Sequence, residues 1–141
     1  MGQQQLLLLV LGIVIVGLAV VVGIQAFSEN QKKANADALV NDAIRLASDA
    51  QAWMLKPAAF GGGNNNCAAT CDWTGLTYSQ LGYATAGGVY TNLNGVFSMT
   101  AGTPDLVITG SNSATDNQVT VTVIGTGPED ISTVVDTAYS G

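Results

Sequence analysis

The first part of the chain is uniformly hydrophobic. From Leu6 to Ile24 the sequence reads LLLLVLGIVIVGLAVVVGI, which is 19 residues without a polar or charged side chain. A helix of that length spans about 28 Å, close to the roughly 30 Å hydrocarbon core of a bilayer. Because a lone segment in lipid has to satisfy its backbone hydrogen bonds internally, helix is the expected conformation. The run therefore predicts one membrane-spanning helix within residues 1–27.

The pattern becomes amphipathic after this run, and no signal ends the helix. No proline occurs before Pro57, and no glycine occurs after residue 24 until Gly61. Alanine, a strong helix former, is frequent here, and apolar residues recur at three- and four-residue spacing. The residues with this spacing are Leu39, Val40, Ala43, Ile44, Ala47, Ala50 and Met54. We predict one helix from residue 3 to 55, with Leu39, Ile44 and Met54 facing the folded domain.

Short runs of alternating apolar and polar residues occupy the last third of the chain. They are Gly88–Leu93, Gly95–Thr100, Asp105–Thr109, Gln118–Ile124 and Ile131–Ala138. The alternation is clearest at Val119, Val121 and Val123, as is typical of a half-buried strand. Asn94-Gly95, between the first two runs, is a strong hairpin signal. We predict an α+β fold in which about four antiparallel strands pack on the amphipathic half of the helix.

These patterns divide the chain into an apolar helix at residues 1–27 and a globular head at residues 28–141. The head comprises the amphipathic helix half at 28–56, a loop at 57–87 and the sheet at 88–141. Three consecutive glycines and three consecutive asparagines in the loop are a turn signal.

Cys67 and Cys71, the two cysteines of the chain, lie in this loop. Their C-x3-C spacing fits neither common zinc knuckles nor a thioredoxin-type motif, and the chain has no histidine to complete a metal site. The surrounding sequence is rich in Gly, Thr, Ser and Asn, which suits a domain outside the cytoplasm, where disulfides persist. We predict an intramolecular Cys67–Cys71 disulfide, worth about 2 kcal/mol by loop closure.

Composition excludes several functions. The net charge is −6 with four basic residues, so no basic patch for nucleic acid is possible. The absence of histidine removes Ser-His-Asp and Cys-His mechanisms, and no phosphate-binding glycine motif occurs. We expect neither enzymatic activity nor a cofactor. The adjacent Glu129 and Asp130 are interpreted as a solvated turn, with a calcium site as the alternative, and the aromatic residues as core and rim rather than a stacking surface.

The first five residues, MGQQQ, carry no positive charge. A cleaved signal peptide would have a basic n-region and a shorter apolar core, so this segment does not fit one. An uncleaved anchor usually carries basic residues on its cytoplasmic side, but the nearest are Lys32 and Lys33, on the far side of the run. We interpret the chain as one from which a basic leader has been removed, leaving Met1 or Gln3 first.

An apolar N-terminal helix that becomes amphipathic, followed by a Gly-rich loop and a sheet, resembles type IV pilins and the related pseudopilins. The resemblance covers the whole chain as architecture and about the first 55 residues as sequence. Members of that family begin with a methylated residue and usually carry a glutamate at mature position five. This chain has Gln5 there if Met1 is first, and starting at Gln3 gives no glutamate either. The run Gln3-Gln4-Gln5 could replace the usual docking salt bridge with neutral hydrogen bonds.

The resemblance implies a subunit of a type IV pilus-like filament on the cell surface, held in the inner membrane before assembly. It further implies a leader peptidase and an assembly machinery as partners, and a homopolymer as product. The residues implied in subunit assembly are Met1, Gln3, Gln4, Gln5, Leu6, Gly12, Gly17 and Gly23. Alternatives are a minor pilin or secretion pseudopilin, an archaeal-type filament subunit, and a single-pass anchored binding protein outside the cytoplasm.

Overall fold

One helix dominates the computed structural model, which describes residues 2–139. Helix α1 runs without a break from Gly2 to Leu55, so its 54 residues extend about 80 Å. The predicted single helix from residue 3 to 55 is confirmed. It ends where Pro57 disfavours helical backbone at the residue before it.

The glycine and asparagine run after α1 caps the end of the helix. The backbone N–H groups of Gly63 and Asn65 donate to the carbonyls of Trp53 and Met54, at 3.0 and 2.6 Å. An added Cβ at Gly63 would lie 2.8 Å from Met54 Sδ, so this close return needs glycine. The run is therefore more than a flexible loop, because it satisfies carbonyls that a helix end otherwise leaves without partners.

In the described part of the chain, five antiparallel strands follow, arranged in chain order as a meander. They are β1 (Tyr90–Thr91), β2 (Val96–Ala101), β3 (Leu106–Asn112), β4 (Asn117–Val123) and β5 (Ile131–Asp136). The α+β class is confirmed, and the sheet has one strand more than the four or so predicted. Each of the five alternating runs contributes a strand, and the smallest, β1, has only two residues. Short 3₁₀ helices at Ala58–Phe60 and Pro128–Asp130 lie in the connections.

The predicted turn at Asn94-Gly95 joins β1 and β2, but as part of a four-residue loop. Asn92 N–H donates to Gly95 O at 3.0 Å, and Asn92 Oδ1 accepts from the N–H groups of Asn94 and Gly95. A Cβ at Gly95 would collide with Ser111 O and lie 2.9 Å from Leu39 Cδ2. This glycine is required by close packing against α1 and β3.

The core lies between the second half of α1 and one face of the sheet. Strand β4 runs in the same direction as α1 beneath it, with Asn117 Nδ2 bonded to Lys32 O at one end and Gln51 Nε2 bonded to Gly125 O at the other. Its alternate side chains are fully buried, as the strand pattern predicts. The largest fully buried side chains are Trp73, Phe97, Leu39, Leu46, Met54, Leu106, Ile108, Val119, Val121, Val123 and Asn117.

One predicted core position is wrong. Leu39 and Met54 are buried as expected, but Ile44 is 39 % exposed, whereas Leu46 is 1 % exposed. Ile44 lies seven residues before Gln51 and therefore on the same flank of α1, the flank that bonds to the segment leading into β5. Strand β5 is an edge strand whose side chains are mostly exposed. One helix is about 10 Å wide and covers roughly two strands, so its flank has no sheet beneath it.

Candidate functional site

The longest continuous exposed apolar surface within residues 2–139 is the first half of α1. Every residue from Gly2 to Gln31 is exposed, and the side chains of Leu7 and Leu8 are each 70 % exposed. The helix is long and apolar enough to anchor the chain in a membrane. Soluble monomers rarely expose continuous apolar surface of this size, so it marks a surface that lipid or protein covers.

The assembly residues implied by the resemblance lie along this exposed surface, apart from Met1, which is outside the described residues. Gln3, Gln4, Gln5 and Leu6 form the beginning of α1 and are exposed. The first turn of the helix carries no acidic side chain. The amides are therefore the polar side chains nearest to the N–H groups that a helix start leaves unpaired.

Two of the three glycines open a groove on the helix. Gly12 and Gly17, with apolar neighbours, border a shallow depression of about 600 Å³. An added Cβ at either glycine would meet no atom within 4 Å, so both are free to accept larger side chains in the isolated chain. Gly23 is exposed on the same helix but does not border this groove. The groove is lined by Leu8, Leu9, Gly12, Ile13, Val16 and Gly17.

The predicted Cys67–Cys71 disulfide is present, with the two Cα atoms 3.9 Å apart. Cys71 is 3 % exposed and belongs to the core cluster, and Cys67 packs against it. The bond closes the segment that follows the helix cap. Its place is structural, away from the exposed half of α1.

An asparagine network that the sequence analysis missed fixes the sheet to α1. Asp42 Oδ2 accepts from the side-chain amides of Asn92 and Asn94 at 2.8 and 2.7 Å. Asn117, which is fully buried, donates to Lys32 O and to Asn35 Oδ1 at 2.8 and 3.1 Å. These bonds join positions 50 or more residues apart, and the only sequence signal was the frequency of asparagine at predicted turns.

A second, polar groove of about 400 Å³ lies beside α1 in the head. Arg45, Asp49, Trp53 and Lys56 line its helix side, and the loop residues 80–83 line the other. The Tyr83 hydroxyl donates to Asp49 Oδ2 across the groove. We call this site the basic groove, since it holds two of the four basic residues of the chain.

The environment of Tyr83 makes the head sensitive to alkaline pH. Burial, then the hydrogen bond and charge of Asp49, raises the pKa of Tyr83 to about 12 from 10.0. A pKa raised by folding stabilises the folded chain below the unfolded value, and the contribution is lost as pH rises from about 10 to about 12. We expect Tyr83→Phe to lose less free energy of unfolding across that interval than the wild-type chain. Urea unfolding at pH 9 and pH 12 measures the difference, and equal losses would contradict this role of Tyr83.

The carboxylates that the structure describes are spread over the head. Among residues 2–139, no three His, Cys, Asp or Glu side chains come together. Glu129 and Asp130 form the 3₁₀ turn Pro128–Asp130, where Asp130 Oδ2 accepts from Gly127 N–H at 2.9 Å. The aromatic residues Trp73 and Tyr78 are buried in the core.

No model of a protein family, no curated protein and no solved structure matches the chain.

Proposed function

We propose that the chain is a structural subunit of a type IV pilus-like extracellular filament that polymerises through the first half of α1. The observation that carries the proposal is the exposed apolar helix, which projects about 45 Å before its first contact with the head, at Lys32. Such a surface has two stable environments, a bilayer or a bundle of identical helices. A subunit held in the inner membrane and then transferred into a filament core occupies both in turn.

The head supports a structural role rather than a catalytic one. Its largest side chains fill the space between α1 and the sheet, and the grooves described above are open depressions on its surface. In the filament, Gln3, Gln4 and Gln5 enter the apolar bundle. Since an unsatisfied amide there costs about 1–3 kcal/mol, they bond to backbone or terminal groups of neighbouring subunits. The partners proposed for this subunit are a leader peptidase and a filament assembly machinery.

Electron microscopy of shed surface material, with mass spectrometry of the main subunit and its N-terminus, tests this function. We expect thin filaments composed mainly of this chain, which disappear from cells when the gene is deleted. Filaments that persist after deletion and contain the chain as a trace component would assign it as a minor pilin or pseudopilin. A purified chain that stays in membranes and forms no polymer after detergent removal would instead favour an anchored binding protein.

A further inference from the structure

We propose that the basic groove of one subunit binds the acidic turn Pro128–Asp130 of a second copy, an interface that rests on the proposed filament. The groove carries Arg45 and Lys56, both exposed. Among residues 2–139, the one ion pair joins Lys32 and Asp116 at 3.8 Å, so neither cation of the groove is paired there. In a chain of net charge −6, these two residues are half of all positive charge. The groove also holds the Asp49 carboxylate, which accepts a hydrogen bond from the Tyr83 hydroxyl, so two cations face one carboxylate and the groove keeps a net positive charge. Complementary charge of this kind steers and orients protein association.

The backbone of the acidic turn is held in place so that the carboxylate of Glu129 is exposed at its tip. Pro128 fixes the first position of the 3₁₀ turn, and Asp130 bonds back to Gly127 through its backbone and its side chain, at 3.2 and 2.9 Å. Gln51 Nε2 ties the same segment to α1 by donating to the carbonyls of Gly125 and Gly127 at 2.9 and 2.8 Å. Glu129 is exposed at the tip of this anchored turn. Because the backbone is already held, little ordering is needed when the turn binds.

The positions of the basic groove and the acidic turn are compatible with a polymer of identical subunits. Gln51, which anchors the acidic turn, lies between Arg45 and Lys56 in sequence and therefore at the same height on α1. At 3.6 residues per turn it points roughly 120–160° around the helix from Arg45, Asp49 and Lys56. The turn and the groove thus lie on different flanks of the head at overlapping levels. A groove that receives a different surface of the next copy gives a heterologous contact. Contact of the turn with Lys56, five residues after Gln51, shifts the next copy by about 7 Å along α1, and a rotation combined with such a shift gives an open helical polymer of parallel helices rather than a ring.

A charge exchange between Lys56 and Glu129 tests the interface in the full chain. Filament formation after detergent removal is measured as the critical concentration, by sedimentation and electron microscopy. We expect Lys56→Glu and Glu129→Lys each to raise it roughly tenfold and the double variant to restore it, because the pair is then reversed rather than broken. Lys33→Glu is the matched control, since it makes the same charge change on α1 outside the groove. It should leave the critical concentration within about twofold of wild type.

Crosslinking gives a second measurement. Filaments mixed from equal amounts of Lys56→Cys and Glu129→Cys subunits should form disulfide-linked dimers under oxidation, and neither variant alone should.

The outcomes separate this interface from the filament itself. Suppose that wild-type chains polymerise, but that Lys56→Glu and Glu129→Lys behave like the control or the double variant fails to restore assembly. The proposed interface is then wrong, while the proposed filament is not contradicted. If wild-type chains form no polymer, both are wrong. Salt gives a further check, because it screens exposed charges. If Lys56→Glu and Glu129→Lys raise the critical concentration by the same factor in low and in high salt, the pairing of these charges is also wrong.

Discussion

Leu46→Asp is expected to destabilise the head severely, whereas Ile44→Asp, two residues earlier, is expected to change its stability little. Leu46 is 1 % exposed and lies in the core cluster. Loss of a buried leucine costs about 2–5 kcal/mol, and burial of an unpaired carboxylate adds to it. The sum is a large share of the roughly 5–15 kcal/mol that stabilises a typical domain. Ile44 is 39 % exposed, so a carboxylate there remains hydrated and should cost about 1 kcal/mol.

Near-ultraviolet circular dichroism of the full chain in detergent micelles measures the difference. The signal reports on the head alone, because both tryptophans, Trp53 and Trp73, are buried there. We expect the melting temperature of the head to fall by more than about 15 °C in Leu46→Asp and by a few degrees in Ile44→Asp. A larger loss in Ile44→Asp would show that α1 is rotated relative to the arrangement described.

The double variant Gly12→Leu, Gly17→Leu is expected to enter membranes normally but to polymerise poorly. Leucine is compatible with lipid and with helix, and neither added side chain meets an atom of its own chain within 4 Å at Cβ. Close approach of a second helix along the groove between Gly12 and Gly17, however, depends on the missing side chains. We expect at least a tenfold loss of filaments per subunit, counted by electron microscopy, with unchanged membrane content.

Val14→Phe with Val22→Phe is the matched control for this variant. It adds four side-chain carbons at each of two positions, as Gly→Leu does, but on the opposite side of α1. Filament formation should be reduced less than in the glycine variant. Equal loss in both variants would mean that bulk anywhere on the helix blocks assembly, and normal assembly of the glycine variant would mean that hydrophobicity alone drives it.

The helix and most strands of this fold can be predicted from sequence because they depend on the local periodicity of apolar residues. The break-free α1 and the strand at Val119, Val121 and Val123 follow directly from the spacing of apolar residues. Ile44 has the same spacing and is therefore predicted to be buried. Its actual exposure depends on how far the sheet extends beneath the helix. The width of a sheet is a property of distant strands and leaves no trace in the helix sequence.

The candidate sites divide in the same way. The apolar half of α1 and the disulfide Cys67–Cys71 could be predicted, since each lies within one short segment. The basic groove could not, because it joins Asp49 to Tyr83, which are 34 residues apart. The sequence around Gly63 predicts only a turn, because its role as a helix cap depends on the hydrogen bond from Gly63 N–H to Trp53 O.

The parallel course of α1 and β4 determines how the head responds to mechanical force. A pull on the apolar half of α1 acts along the helix axis, and the contacts with β4 extend beside that axis from Lys32 to Gln51. The load therefore falls on these contacts in shear, so that they share it instead of yielding one after another. Resistance to forced unfolding is set by the rate of unfolding rather than by the equilibrium free energy. A head that is pulled against α1 along the helix axis is therefore held by all of these contacts together.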